Sequence, residues 1–181
     1  MNSHLGGHYN ITHLDSGALT WAIETFDIKS MLDIGCGPGG MVKYAKAKGL
    51  KSLGIDGDPS VKNSDIIIHD FSEGPVKNLA NFDLCWCVEF VEHVEEKYID
   101  NFLSAFSNCR YIIMTHALPG QKGWHHVNCK KQDYWISKIE TIGFKFEQEL
   151  TQVLKDKSTM NTHSKSWEPF LKNTGLFFKK I

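Results

Sequence analysis

The chain has no apolar run long enough to span a membrane, no Cys-x-x-Cys pair and no extended block of one charge sign. The first absence argues against a membrane anchor, and no secretory leader precedes it, so a cytoplasmic location is the expectation. The second removes the commonest zinc framework, and five cysteines, an odd number, then read as free thiols in a reducing compartment. With 20 basic and 21 acidic residues the net charge is −1, which leaves no electrostatic footprint for duplex nucleic acid and predicts no nucleic-acid partner. Lys43, Lys46 and Lys48 read as a solvated helix face. No internal repeat or low-complexity segment is evident.

What is present suits a single domain over residues 1–181, since 41% hydrophobic and 12% aromatic residues suffice for one packed core. Residues 1–15 are polar and glycine-containing at their start and read as a mobile lead-in or a lid. Asp15 or Ser16 can cap a helix through Phe26. The most informative stretch is MLDIGCGPGG, Met31 to Gly40, an apolar strand that breaks into a glycine loop before a helical pattern resumes. Gly35, Gly37 and Gly39 permit positive φ angles and a close approach of a ligand to the main chain. The following helix, to Lys48 with a stop at Gly49, aims its unpaired N–H groups at whatever lies over that loop.

The alternation then continues. Ser52–Asp56, Asp65–His69, Phe82–Val88 and Tyr111–Thr115 read as short apolar strands, with a helix over about Glu95–Ser107 between the last two. A helix from about Lys131 to Ile142 follows, then alternating strands at Phe144–Leu150 and in GLFFKK near the end, with Lys155–Ser166 the least readable stretch. Apolar strands interleaved with helices signal an α/β fold whose parallel sheet is covered on both faces and whose ligands collect at the carboxyl ends of the strands. Cys85 and Cys87 share one face of a strand, where core packing outweighs metal binding.

Gly35, Gly37 and Gly40 also satisfy the dinucleotide fingerprint. The neighbours separate the alternatives: Asp33 just ahead of the first glycine, Pro38 in the loop, and GIDGD after the next strand. Together these resemble motif I of the class I S-adenosylmethionine-dependent methyltransferases, and the resemblance runs over roughly Ser30–Leu118. It implies a Rossmann-like, doubly wound, mostly parallel seven-stranded sheet with an antiparallel C-terminal edge pair and helices on both faces. It also implies S-adenosylmethionine as cofactor and S-adenosylhomocysteine as product.

Under that resemblance the loop Gly35, Cys36, Gly37 and Gly39 lies against the ribose and methionine parts of the donor, and Asp33 receives its ammonium. Asp56, followed by Gly57, accepts hydrogen bonds from both ribose hydroxyls, a contact a carboxylate makes well, although an aspartate in DGDP also starts turns. Asp70 takes the adenine amino group and Phe71 covers the ring, unless Phe71 belongs to the core. The backbone at Cys87 and Val88 meets the methionine tail. Glu89, Glu92 and His93 then project into the cleft or cap the next helix.

Methyl transfer asks a protein to align two partners, exclude water and remove a proton, and histidine suits the proton near neutral pH. His93, His116 and His126 are the catalytic candidates. The loop HALPGQKGWHHVN follows a strand and should overhang the cleft, so Gln121, Trp124, His125 and Asn128 are candidates for binding a polar acceptor, with Trp124 as a stacking platform. Alternatively the Trp packs inward and the histidines satisfy backbone groups. Adjacent histidines rarely share one ion, so no metal site is expected from His116, His125 and His126. No NPPY, DPPY or Pro-Cys element is present, which favours a small-molecule or glycan-like acceptor over a nucleic acid. The competing readings are a nicotinamide-dependent oxidoreductase and a non-catalytic cofactor-binding module.

Overall fold

Strands that are apolar on both sides must be covered on both sides, and this chain places one sheet between two helical layers. The computed structural model describes residue 5, residues 7–160 and residues 169–181. The strands are β1 (Ser30–Ile34), β2 (Lys51–Asp56), β3 (Ile66–Ile68), β4 (Phe82–Cys87), β5 (Cys109–Met114), β6 (Phe144–Phe146) and β7 (Leu176–Lys180). They form one seven-stranded sheet in the order β3-β2-β1-β4-β5-β7-β6. Its first five strands in that order are parallel, and β7 runs antiparallel to both β5 and β6. The chain leaves β1 toward β2 and β3, then crosses back to form β4 on the other side of β1. That reversal opens a crevice at the carboxyl ends of β1 and β4, the place where such sheets bind ligands.

Alternate residues of each strand feed different layers. Leu32, Cys85, Cys87 and Ile112 pack toward Phe102 and Phe106 of α3 (Ile99–Phe106) and Trp135 and Ile139 of α4 (Gln132–Glu140). Met31, Leu84, Trp86 and Ile113 pack toward Leu19 of α1 (Ser16–Phe26), Met41 of α2 (Gly40–Ala47), Leu154 of α5 (Gln148–Lys157) and Leu171 of α6 (Phe170–Thr174). The two cysteines are thus core residues. Among the described residues no helix is long and apolar enough to cross a membrane.

Asp15 caps α1, and it does more than a surface cap. Its buried carboxylate accepts from the Ala18 N–H and the Thr159 N–H at 2.9 Å each, and from the Ser158 hydroxyl, so it ties the start of α1 to the end of α5. The end of α2 is as expected, with Gly49 at φ 87° just beyond it.

The predicted strand over Phe144–Leu150 is corrected. It ends at Phe146, and Gln148 begins α5. Phe-Lys-Phe-Glu-Gln-Glu-Leu alternates over too few residues to separate the two periods, and the deciding contacts are tertiary. Leu150 and Leu154, one helical turn apart, both pack on the α1 layer, and the Thr151 hydroxyl accepts from the Phe177 N–H at 3.0 Å. The stretch beginning at Lys155 is helical through Lys157, and residues 161–168 lie outside the described residues. The predicted edge pair forms, but with the last strand inside and β6 outermost.

Candidate active site

Three glycines carry the chain out of β1 with positive φ: Gly35 at 75°, Gly37 at 50° and Gly39 at 77°. The Gly35 N–H donates to the Ile55 carbonyl at 2.9 Å, which pins the loop to β2. Asp56 then pins it again. One carboxylate oxygen accepts from the Gly37 N–H at 2.7 Å and the other from the Asp58 N–H at 2.9 Å, each retaining a lone pair for a ligand. Asp33 faces the same crevice from β1, and burial, with the Asp56 charge second, pushes its carboxyl up to about 8. Asp70 uses one oxygen to cap a short turn through the Ser72 N–H at 2.8 Å. Phe71 both lines the crevice and packs on Phe90 and Phe102 in the core.

The opposite end of the same cleft is built from β4's exit and the long loop after β5. Glu89 leaves β4 at φ 54°, a left-handed conformation held by the Thr115 hydroxyl, which accepts from the Glu89 N–H and donates to its carboxylate, both at 2.8 Å. Glu92 is fully buried, and burial together with the neighbouring Glu89 raises its carboxyl well above the usual range. The N–H groups of Val127 and Asn128 donate to the Glu92 carbonyl at 3.0 and 3.1 Å, which fastens the loop to this segment. His93 Nδ1 donates to the Trp124 carbonyl at 2.7 Å and His126 Nδ1 to the Gln121 carbonyl at 3.1 Å, with ring centroids 5.0 Å apart. Burial, aided by His126, lowers His93 to about 4, so its ring is neutral near pH 7.

The N-terminal segment roofs both halves. His8 lies over Gly37 and contacts the Asp58 carboxylate at 3.1 Å, while the Thr12 hydroxyl accepts from the Gly40 N–H at the start of α2. Tyr9 meets Trp124 edge-on at 6.2 Å.

Residues 32–112 match the methyltransferase domain family model. Over that segment, a little under half of its length, the chain is similar to the methyltransferase domain family. A TehB-like SAM-dependent methyltransferase from Corynebacterium glutamicum shares its fold at TM-score 0.61 and 18% identity, over 92% of this chain and 89% of that one. Magnesium protoporphyrin IX methyltransferase from Synechocystis, solved with bound SAM, superposes at TM-score 0.60 and 14% identity, over 90% of this chain and 76% of that one. Human N-acetylserotonin methyltransferase in complex with SAM matches at TM-score 0.56 and 14% identity, over 91% of this chain and 50% of that one. No curated protein sequence matches the chain significantly.

The donor half of the cleft fits S-adenosylmethionine, the molecule bound in the Synechocystis and human structures. Among the described residues no cation balances the buried Asp33 carboxyl, and Asp56 faces the same space, so a ligand carrying a sulfonium and an ammonium meets the charge it needs.

Of the residues singled out in the sequence, Asp33, Gly35, Cys36, Gly37, Asp56, Gly57, Asp70, Phe71 and Val88 line the cleft, as do His93, Trp124 and His126. Gly39 does not. It turns the chain into α2, and a Cβ there would meet Ile66 at 2.9 Å. Cys87 points into the α3 layer, one residue short of the cleft. His116 is corrected from catalytic candidate to core residue: it is buried at the end of β5, with Nδ1 3.5 Å from the Ala117 carbonyl. Gln121 closes its own turn by accepting from the Leu118 N–H at 3.1 Å, and His125 occupies a left-handed bend; neither side chain lines the cleft. Asn128 is buried and does not line the cleft, and its amide atoms meet no partner among the described residues. Sequence reasoning missed His8, Tyr9, Thr12, His69, Trp86 and Phe90, all of which line it. Only the lid expectation for the lead-in pointed toward the first three.

Proposed function

We propose that this chain is an S-adenosylmethionine-dependent methyltransferase and transfers the methyl group to an oxygen or nitrogen of a small-molecule or glycan-like acceptor, held at the end of the cleft formed by His93, His126 and Trp124. The observation that carries the reading is that both histidines are oriented by main-chain carbonyls while facing the same cleft as the donor loop. S-adenosylmethionine supplies an electrophilic methyl carbon on a positively charged sulfur. Gly35–Gly37 and Asp56 give the donor a fixed seat on two strand ends, and Asp33 holds its cationic tail. The N-terminal segment and Phe90 exclude water from above and beside the loop. At the other end a carbonyl can only accept, so each Nδ1 keeps its hydrogen, and the neutral ring of His93 carries on Nε2 a lone pair to act on an acceptor O–H or N–H. Trp124 offers a flat face beside them.

A neutral chain without a basic stripe supports an acceptor that is not a nucleic acid, and the roofed cleft supports one of modest size. The test is release of S-adenosylhomocysteine against sugars, carboxylates and amines. Turnover with one of these classes is the expected result. A chain that binds the donor tightly and turns over none of them would instead be a cofactor-binding module.

A further inference from the structure

Glu92, His93 and His126 each bring one ligand-type atom to within 4.8 Å of the others. Three independent features of that cluster go unused by a purely organic site. Both histidines spend Nδ1–H on a main-chain carbonyl, the arrangement that fixes the tautomer and orientation of a metal-bound imidazole and leaves Nε2 as the ligand atom. Glu92 is fully buried with no basic or hydroxyl side chain on its oxygens among the described residues, and a second carboxyl, Glu89, lies against it. An anionic group in that position calls for a cation or a proton. The loop is also held in register, since Val127 and Asn128 grip the Glu92 carbonyl and so keep His126 beside its partners.

We propose that Glu92, His93 and His126 bind one divalent first-row transition cation, with open positions toward the cleft that an acceptor oxygen completes. Two imidazole nitrogens and one carboxylate suit manganese, iron, cobalt or zinc better than calcium or magnesium, which favour oxygen donors throughout. Three protein ligands leave room for water or substrate. A hydroxyl ligated there loses its proton to water more readily, because the ion stabilises the oxyanion that remains. The site differs from the sequence expectation that His116, His125 and His126 hold no metal, because it takes only His126 of those three. His116 is buried away from the cleft, and the ligand set spans two segments that only the fold brings together. The inference rests on the reading that this end of the cleft holds the acceptor.

The test uses the full chain, stripped with chelator and titrated with Co2+ alone by visible absorption and with Mn2+ alone by electron paramagnetic resonance. Binding of S-adenosylhomocysteine is measured in parallel by calorimetry. One equivalent of ion should bind the unsubstituted chain, and His126→Asn and Glu92→Gln should each weaken it at least ~10-fold with product affinity unchanged. Gly123→Ala gives a variant that keeps every ligand, because a Cβ there would meet His126 Nε2 at 2.1 Å and displace the ring. It should weaken the ion as well, and it stands in if Glu92→Gln fails to fold. Absence of saturable binding, or equal binding in the chain and its His126→Asn variant, overturns the site. An ion that binds in a protein that methylates no acceptor leaves the metal site standing and removes the acceptor reading. Methylation that persists undiminished in chelator does the reverse.

Discussion

The two ends of one cleft are made in different ways. The donor end is strand ends and the turns directly after them: Asp33 and Gly35–Gly37 after β1, Asp56 after β2, Asp70 and Phe71 after β3. The acceptor end joins β4's exit to a loop far along the chain and roofs both with the N-terminal segment. A strand end inherits its position from the sheet, so a few local residues suffice to make a site there. A loop end has to be fastened, here by the hydrogen bonds from Val127 and Asn128 to Glu92 and by the contacts of His93 and His126 with carbonyls.

The sharpest break between the ends should come from Gly35→Val. The residue sits at φ 75°, and a Cβ would lie 2.5 Å from the Phe90 ring, so the fold should lose about 3 kcal/mol or more in denaturant unfolding. Near-native stability would mean that the loop can open without damage to the core. Next is Asp56→Ala, which removes an acceptor from Gly37 and Asp58 and from the donor. Calorimetric donor affinity should fall by about 1–3 kcal/mol, and an unchanged value would remove Asp56 from the donor site.

Asp33 gives a pH signature confined to the donor end. Its carboxyl titrates at about 8 in the free protein, against an ordinary 3.8, so donor binding near neutrality should expel a proton. Affinity should therefore rise by up to about tenfold per unit as pH climbs toward 8 and level off above it. For stability the sign is opposite: the folded chain holds a proton that the unfolded chain releases, so the free protein should weaken as pH rises from about 4 to about 8. A flat affinity profile, or no proton release in buffers of different ionisation enthalpy, would refute the pairing of Asp33 with the donor. The smallest effect belongs to the other end. Trp124→Ala should raise the acceptor KM by about 1 kcal/mol equivalent while the donor constant stays put. A donor constant that moves with it would show that the roof formed by Tyr9 and Trp124 couples the two ends.

Legibility in the sequence followed the same division. Asp33, the glycines and Asp56 lie at or near the close of an apolar run, where a parallel sheet collects ligands, and all but Gly39 line the cleft. Gly39 reads as a ligand contact in the sequence because spacing cannot tell a residue under a cofactor from one that turns into a helix. Cys87 lies one step of strand alternation from the cleft, and burial on the far face looks identical in a short apolar run. The segment after Phe146 read as a strand because its helical anchors, Leu150 and Leu154, acquire meaning only from α1.

The sequence by itself determined the sheet-and-helix alternation, the glycine turn and the acidic groups that meet the donor, because those depend on periodicity and on residues close in the chain. Only the tertiary structure decided that His93 and His126 stand 5.0 Å apart beside a buried Glu92, and that residues 7–12 lie over them and the donor loop. Contacts between distant segments are set by how whole layers pack, and no local pattern of residues encodes that.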